Sequence, residues 1–333
     1  MAIFKWFRKH STSSGFGFRS TAEQVTEGVD GSSLTAVVTG ATSGIGKETA
    51  RVLALRGVKV VIPVRKIDSG STVKKSILEQ NPDAKIDVME MDLTSLKSVK
   101  SFVHTFQLSN RPLNILINNA GIMAGPFTLS EDRIELQFAT NHLGHFLLTN
   151  MLLDKMKNTA KETGIQGRIV NVSSRTHHYG DPSSLCDLNH VNDPSKYNSY
   201  KAYCNSKLAN LLHSNELARR LQEEGANVTA NSLHPGVILT RITRLTPLLR
   251  FFDFRSPISS TLAVFGKPFF KTIPQGASTT CYLALHPNLK DVSGKYFLDC
   301  NEGNSKEIAN GMEFGRKLWD LSLDLVNKCK NAA

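Results

Sequence analysis

The chain has 333 residues, enough for one large α/β domain or two smaller ones. No uncharged apolar run reaches the length of about 18 residues that a membrane-spanning helix needs. The formal net charge of +11 lies mostly in residues 1–22 and 241–271, which carry +4 and +5. Because the rest of the chain is nearly neutral, the charge argues against a nucleic-acid-binding surface.

Strand-like and helix-like segments alternate after a polar, Ser/Gly-rich lead that runs through Ser33. Apolar, β-branched runs predict strands at Leu34–Thr39, Val58–Val64, Ile86–Met91, Leu113–Ile117, Arg168–Val172 and Val228–Leu233. Helical periodicity predicts helices at Ile45–Leu55, Leu96–Phe106, Ile134–Met156 and Ala202–Leu221. Strands separated by helices form βαβ units, which predicts an α/β fold with one doubly wound parallel sheet and helices on both faces.

The alternation predicts one domain over residues 34–312, between a basic and aromatic tail (1–33) and a C-terminal helix (313–333). Residues 175–199 and 240–274 depart from the βα rhythm and are expected to cover a substrate, because loops after the strands border the ligand site in open α/β sheets. The second stretch and the tail are rich in Phe, Lys and Arg. These features predict that the tail attaches to an anionic membrane surface and that 240–274 forms an apolar lid. The alternative is a lid or an oligomer interface that never contacts lipid.

A glycine-rich motif, Thr39-Gly40-Ala41-Thr42-Ser43-Gly44-Ile45-Gly46, follows the first predicted strand and begins the first predicted helix. Glycines at such a junction permit a tight turn and let the backbone approach a pyrophosphate at the helix N-terminus. A glycine-rich turn without a ligand is the alternative. The position at the first βα junction favours the dinucleotide.

The ends of the second and third predicted strands bear on the choice of cofactor. Arg65 and Lys66 follow the second strand, where NAD sites carry an acid for the ribose 2′-hydroxyl. Two cations suit the 2′-phosphate of NADP(H), and the alternative is that both are merely solvated. Asp92 closes the third strand and either reaches the adenine or caps the helix that begins near Ser95.

Tyr203 and Lys207 are four residues apart in a predicted helix and therefore share a face. An ammonium beside a phenol favours its ionised form, so the pKa of Tyr203 is expected to fall from about 10 toward neutrality. Alone, such a pair is usually an exposed helix pair. Ser173 and Ser174 end the strand upstream, where hydroxyls can hold a substrate oxygen, and Asn141 lies in the preceding helix.

Metal and hydrolytic sites are not expected. The cysteines are odd in number and lack C-x-x-C spacing, which predicts free thiols in a reducing, intracellular compartment: Cys186, Cys204, Cys281, Cys300 and Cys329. The closely spaced histidines have no matching acid or cysteine cluster: His142, His145, His177, His178 and His234. No G-x-S-x-G motif occurs, which argues against Ser-His-Asp hydrolysis.

Together these motifs resemble the short-chain dehydrogenase/reductase family over residues 34–300, with TGATSGIG, MDL, NNAG, NVSS, YCNSK and HPG in family order. GRIVNVSS and AYCNSKLAN are similar to its retinol-dehydrogenase-like branch. STAEQVTEGVDG and PQGASTTCYLALHP are similar to plant dehydrogenases related to the chloroplast inner-envelope Tic translocon. The resemblance implies a Rossmann-type fold and a catalytic tetrad of Asn141, Ser174, Tyr203 and Lys207, with Ser173 as the alternative serine.

The motifs and the resemblance also imply a set of cofactor contacts. These residues are Gly40, Ser43, Gly44, Ile45, Gly46, Arg65, Lys66, Asp92, Leu93, Asn119, Ala120, Gly121, Tyr203, Lys207, Pro235, Gly236 and Val237. The implied reaction is hydride transfer between NADP(H) and a lipophilic carbonyl or alcohol, terpenoid or retinoid-like, that Ser174 and Tyr203 hold. Tyr203 would act as the acid or base.

The rival function is an NADP(H)-sensing binding module of a chloroplast import complex, as the translocon resemblance suggests. A complete tetrad favours an enzyme, although one protein can be both. Calmodulin binding by the C-terminal helix is conceivable, but Asp320 and Asp324 interrupt its basic pattern and favour a packed helix. Residues 1–22 are short for a transit peptide, so the sequence leaves both the chloroplast inner envelope and the cytoplasm open as locations. It also leaves open whether the chain forms a homo-oligomer.

Overall fold

Residues 13–123, 125–238 and 270–328 are described by the computed structural model. They form one eight-stranded sheet in the order β3-β2-β1-β4-β5-β6-β7-β8, in which only the last pair is antiparallel. The strands are β1 (Thr35–Val38), β2 (Lys59–Val64), β3 (Ile86–Glu90), β4 (Ile115–Asn118), β5 (Gly167–Val172), β6 (Val228–His234), β7 (Tyr296–Leu298) and β8 (Asn301–Glu302). The predicted α/β fold with a parallel sheet is confirmed.

The longer helices of the described residues cover both faces of this sheet. They are α1 (Gly44–Leu55), α2 (Ile67–Leu78), α3 (Leu96–Leu108), α4 (Gly144–Thr163), α5 (Ser199–Glu223), α6 (Ile273–Leu285) and α7 (Met312–Lys328). A short helix, Leu136–Phe138, and a π-helical turn, Ala139–Leu143, lead directly into α4. The helix predicted over Ile134–Met156 is therefore real but irregular at its start.

Successive residues of the central strands belong to two separate apolar cores. Val37 and Leu116 pack in the core with α3, α4, α5 and α7, whereas Val38 and Ile117 pack in the core with α1, α2 and α6. Every residue of β1 and β4 is buried. Such continuous burial is the pattern of a parallel sheet that is covered on both faces.

The stretch 175–199, expected to cover a substrate, contains a 3-10 helix, Arg175–Tyr179, and two helices of one turn, Pro182–Leu185 and Leu188–Val191. Of the other stretch, 240–274, the structure describes only residues 270–274, and residues 1–12 of the tail also lie outside the described part. Among the residues that the structure describes, no helix is both long and apolar enough to cross a membrane.

The C-terminal helix α7 packs on α4 and α5 by its apolar face. The Trp319 ring lies 5.1 Å from the Phe146 ring, and the Arg220 guanidinium lies 4.3 Å above the Trp319 ring. Leu318 and Leu325 are buried. A calmodulin-like partner would have to displace α7 to reach this face.

The described residues include five buried histidines whose lowered pKa values predict acid sensitivity: His142, His145, His177, His213 and His234. Burial lowers the pKa of His145 to about 4 and the pKa values of His213 and His234 to about 3. The folded state therefore binds fewer protons than the unfolded state, and stability is lost as the pH falls below about 6.5. Each histidine should lower stability by about 1 kcal/mol between about pH 6.5 and pH 5.5, because the unfolded chain is already half protonated at the upper limit, so roughly 5 kcal/mol should disappear.

Urea unfolding at pH 7.5 and pH 5.5 measures this loss. His213→Phe should remove about one fifth of the pH dependence. The exposed His104 gives the matched control, because His104→Phe should leave the pH dependence as it is. A pH dependence that is the same in the wild type and in His213→Phe would show that His213 is not held neutral.

Candidate active site

Apart from Tyr203 and Lys207, which lie on α5, the predicted cofactor residues follow the carboxyl ends of parallel strands, so they share one edge of the sheet. They follow β1 (Gly40, Ser43, Gly44, Ile45, Gly46), β2 (Arg65, Lys66), β3 (Asp92, Leu93), β4 (Asn119, Ala120, Gly121) and β6 (Pro235, Gly236, Val237). Ligands bind at this edge in open α/β sheets.

The turn between β1 and α1 has space only for glycine at two positions. Gly40 has a φ of +68°, and a Cβ at Gly46 would lie 2.3 Å from the Gly40 carbonyl oxygen. Ser43 precedes α1 without capping it by its side chain, which leaves the first backbone N–H groups of the helix available. This cradle of backbone fits the pyrophosphate of a dinucleotide.

The NNAG segment is bonded directly to this turn. Thr39 Oγ1 accepts the N–H groups of Asn119 at 2.9 Å and Ala120 at 3.0 Å. Asn119 Nδ2 donates to the Thr39 carbonyl oxygen at 2.8 Å. The ends of β1 and β4 are thereby held together as one platform.

Arg65 and Lys66 are both exposed at the end of β2, and neither forms an ion pair within the described residues. Two free cations at this position suit a phosphate. Asp92 Oδ1 accepts from the N–H and the hydroxyl of Thr94, both at 2.9 Å. The N-cap of α3 is Ser95, not Asp92, so the capping alternative for Asp92 is wrong.

The turn after β6 is closed by Lys271, a residue near the end of the stretch 240–274. Lys271 donates its backbone N–H to the Val237 carbonyl oxygen at 2.9 Å, and its stem fills the space in which Gly236 would carry a side chain. Its ammonium forms an ion pair with Asp299 at 2.5 Å. No sequence motif pointed to Lys271, because the residues it contacts are distant in the chain.

Tyr203 and Lys207 share a buried face of α5, as the spacing predicted. Lys207 Nζ lies 5.7 Å from the centre of the Tyr203 ring and donates to the Val172 carbonyl oxygen at 3.1 Å. The Ser174 hydroxyl lies close enough to the Tyr203 phenol to act on its pKa as a hydrogen-bonding neighbour. The phenol, the ammonium and the serine hydroxyl therefore meet where β5 ends.

The prediction that the pKa of Tyr203 falls toward neutrality is wrong for the protein without cofactor. Burial raises the pKa of Tyr203 to about 12, and the neighbouring Ser174 hydroxyl opposes that shift only in part. Burial also lowers the pKa of Lys207 to about 8. The four-residue spacing predicted that Tyr203 and Lys207 share a helix face, but it did not predict how deeply that face is buried. The removal of Tyr203 from water raises its pKa by more than the neighbouring ammonium lowers it.

The two candidate serines have different surroundings. Ser173 Oγ donates to the Lys207 carbonyl oxygen at 2.7 Å and is committed to holding α5 against β5. Ser174 Oγ accepts the Thr176 N–H at 3.3 Å and contacts Tyr203. The geometry favours Ser174 as the hydroxyl that meets a substrate.

Asn141 lies in the π-helical turn and its carboxamide is fully engaged. Its Oδ1 accepts the Ile122 N–H at 2.8 Å, and its Nδ2 donates to the Ile122 carbonyl oxygen and to Ser206 Oγ, both at 2.9 Å. A Cβ at the neighbouring Gly121 would lie 3.5 Å from Lys207 Nζ. The Asn141 side chain thus fixes the NNAG segment beside Lys207.

A buried histidine, His177, lies beside Ser174. His177 Nδ1 donates to the Ser174 carbonyl oxygen at 2.6 Å, and its Nε2 accepts the Lys306 N–H at 3.1 Å. Burial lowers its pKa to about 4, which keeps it neutral. Within the described residues, no group of three His, Cys, Asp or Glu side chains could hold a metal ion.

The sequence is similar to curated proteins along nearly its whole length. A family model described as short chain dehydrogenase matches residues 34–185. Short-chain dehydrogenase TIC 32 A, chloroplastic, of Brassica napus is 52% identical over 326 residues, 98% of this chain and 99% of that protein. Human retinol dehydrogenase 11 is 39% identical over 294 residues, 87% of this chain and 85% of that protein.

The fold is similar to solved structures. A crystal structure of a protein from Mycobacterium paratuberculosis has a TM-score of 0.69 at 30% identity, over 91% of this chain and 97% of that chain. A single-residue variant of actinorhodin polyketide ketoreductase, solved with NADPH, has a TM-score of 0.62 at 23% identity, over 81% of this chain and 96% of that chain. The second likeness concerns the fold alone.

Proposed function

The chain belongs to the short-chain dehydrogenase/reductase family, and on that premise we propose that it is an NADP(H)-dependent oxidoreductase that interconverts a carbonyl and an alcohol on an apolar substrate. The observation that carries the proposal is the meeting of Ser174, Tyr203 and Lys207 at the end of β5. The backbone cradle at Gly40 and Gly46 lies at the same edge of the sheet.

The proposed chemistry divides hydride transfer from proton transfer. Bound NADP(H) would supply the hydride in reduction or accept it in oxidation. Ser174 would hold the substrate oxygen, and Tyr203 would donate its phenolic proton to that oxygen during reduction. With a pKa near 12, Tyr203 is protonated at neutral pH and ready to donate. The buried ammonium of Lys207 would stabilise the phenolate that forms.

We expect Arg65 and Lys66 to select NADP(H) over NAD(H). Replacing both with alanine should raise the KM for NADPH by about tenfold to a hundredfold, because charge-assisted bonds to the 2′-phosphate are lost. The KM for NADH should hardly change. Steady-state kinetics with both cofactors measure the difference. Lys59→Ala is the matched control, since Lys59 is exposed at the other end of β2.

Unchanged NADPH kinetics in the double variant would mean that Arg65 and Lys66 do not bind the 2′-phosphate. An equal loss with NADPH and NADH would indicate a disturbed fold instead. Circular dichroism and the Lys59→Ala control separate these outcomes.

The apolar substrate is supported by similarity and by composition. The retinol dehydrogenases bear the name of an apolar alcohol. The predicted lid over 240–274 contains Phe251, Phe252, Phe254, Phe265, Phe269 and Phe270. A screen of aldehydes, ketones and alcohols with both cofactors tests the proposal. Turnover only of small polar carbonyls would contradict the apolar class.

A second candidate function is a binding module of the chloroplast translocon, favoured by the 52% identity to a protein named for that complex. The same identity supports the chloroplast, rather than the cytoplasm, as the proposed location. The wild type and Tyr203→Phe should then bind translocon proteins equally, whereas only the wild type should turn over substrate. Attachment to an anionic membrane stays a prediction, since residues 1–12 and 240–269 lie outside the described residues.

A further inference from the structure

A buried imidazole joins the two sides of the candidate active site. His145, in the first turn of α4, lies between the residue that begins the phosphate turn and the residue that fixes the NNAG segment. Its Nε2 is 2.9 Å from Thr39 Oγ1, and its Nδ1 is 3.1 Å from the Asn141 carbonyl oxygen. Only 2% of its surface is exposed, so water does not compete for these bonds.

The partners determine which ring nitrogen carries the proton. Burial is the main reason that the pKa of His145 falls to about 4, and the charge of Lys207 adds to the shift, so the ring is neutral at physiological pH. The Asn141 carbonyl oxygen can only accept, which places the proton on Nδ1. Nε2 is then an acceptor, and the Thr39 hydroxyl donates to it.

The surroundings of Thr39 agree with this direction. Its oxygen already accepts two backbone N–H groups, those of Asn119 and Ala120. A third donor would exceed its two lone pairs, whereas a hydroxyl proton directed at His145 completes its bonding. The alternative acceptor for that proton, the Ile117 carbonyl oxygen, is farther away at 3.3 Å.

We propose that neutral His145, as its Nδ1–H tautomer, is a positioning residue that couples the phosphate turn to Asn141 and so sets the placement of the NNAG segment beside Lys207. The effect of His145 on catalysis rests on the proposed function, whereas the tautomer of its ring does not. His145 touches no reacting atom. It acts through Asn141, which lies in a π-helical turn, a conformation frequent at functional sites.

Removing the imidazole should affect turnover more than cofactor binding. In His145→Phe the Asn141 carbonyl loses the imidazole N–H as a donor, whereas the Thr39 hydroxyl can turn to Ile117 and keep the phosphate turn in place. We expect kcat to fall by about tenfold to a hundredfold, because small displacements of positioned groups have effects of that size. The Kd for NADPH should change by less than about threefold.

Two further variants separate positioning from general damage to the fold. His145→Asn keeps an N–H donor near the place of Nδ1 and should recover part of kcat. His142→Phe is the matched control, since His142 is another buried histidine of the same helical segment but bonds Ser322 of α7, at 2.9 Å. It should leave kcat unchanged. A kcat that falls equally in His142→Phe and His145→Phe would overturn the proposal.

Nitrogen-15 NMR of histidine-labelled protein tests the tautomer without any substrate. A neutral Nδ1–H signal that persists from pH 5.5 to pH 8 and is missing in His145→Phe is expected. Thr39→Val should shift the Nε2 resonance, and Thr39→Ser, which keeps the hydroxyl, should restore it. A His145 signal with the proton on Nε2, or one that titrates near its usual pKa of about 6.5, would overturn the proposal.

The proposed function and the role of His145 fail in different ways. A wild-type protein that turns over no carbonyl or alcohol with either cofactor overturns the proposed function, and the catalytic role of His145 with it. An active wild type whose kcat is unchanged in His145→Phe overturns the role of His145 alone.

Discussion

Replacement of Tyr203 by phenylalanine is expected to lower kcat for carbonyl reduction by about a hundredfold to ten-thousandfold, the range in which general acids contribute. The substitution removes one oxygen atom from a buried side chain, of whose surface 7% is exposed. Because the ring remains, the packing of α5 and the cradle at Gly40 should persist. Tyr203→Phe should therefore bind NADPH as the wild type does.

Single-turnover kinetics and fluorescence titration with NADPH separate the two effects. Tyr200→Phe is the matched control, because Tyr200 lies one turn earlier on α5 and is 47% exposed. It should leave kcat and NADPH binding unchanged. Turnover in Tyr203→Phe equal to that of the wild type would exclude Tyr203 as the proton donor.

The sequence predicted the parallel sheet well because β-branched runs and helical periodicity are local signals. It missed β7, β8, α2 and α6 for physical reasons. The three residues of β7 give no detectable period, and α6 is rich in small residues that a buried helix tolerates but periodicity does not reveal. In α2, Gly70 lowers the helical signal, yet a Cβ there would lie 2.3 Å from a methyl group of Val88.

The sequence predicted which residues form the candidate site, but it did not predict their burial or the hydrogen bonds among them. Motif spacing placed Tyr203 and Lys207 on one face, and strand ends placed Ser174 beside them. Depth and partners depend on the fold, so the raised pKa of Tyr203 was not foreseen. His145 follows Asn141 by four residues and His177 follows Ser174 by three. These spacings were the available signal, since both histidines donate to the earlier residue's carbonyl oxygen.

Replacement of Lys207 by methionine is expected to reduce activity while it raises stability. At 5.7 Å, the distance of Nζ from the Tyr203 ring centre, a charge interacts with the forming phenolate by about 3 kcal/mol at an effective dielectric of about 20. Its loss should lower kcat by about a hundredfold. The same burial that lowers the pKa of Lys207 to about 8 makes the charged form unfavourable in the folded state.

The stability gain follows from that shift. A pKa that falls from 10.5 to about 8 means that the buried ammonium weakens folding at neutral pH, by about 3 kcal/mol at about 1.4 kcal/mol per pKa unit. Methionine has a similar length and no charge. The Val172 carbonyl oxygen keeps a donor in Lys207→Met, because Asn210 Nδ2 bonds it at 3.1 Å. The free energy of unfolding at pH 7 should therefore rise rather than fall.

The pH dependence distinguishes this account from simple repacking. Between about pH 8 and pH 10.5 the folded wild type has released the Lys207 proton while the unfolded chain still holds it, so wild-type stability should rise across that window. Lys207→Met should lack this rise. Urea unfolding at pH 7, 8 and 10 measures it, with Lys201→Met, an exposed lysine of α5, as the matched control. A variant that is destabilised at every pH would show that the Lys207 ammonium contributes to the fold instead of weakening it.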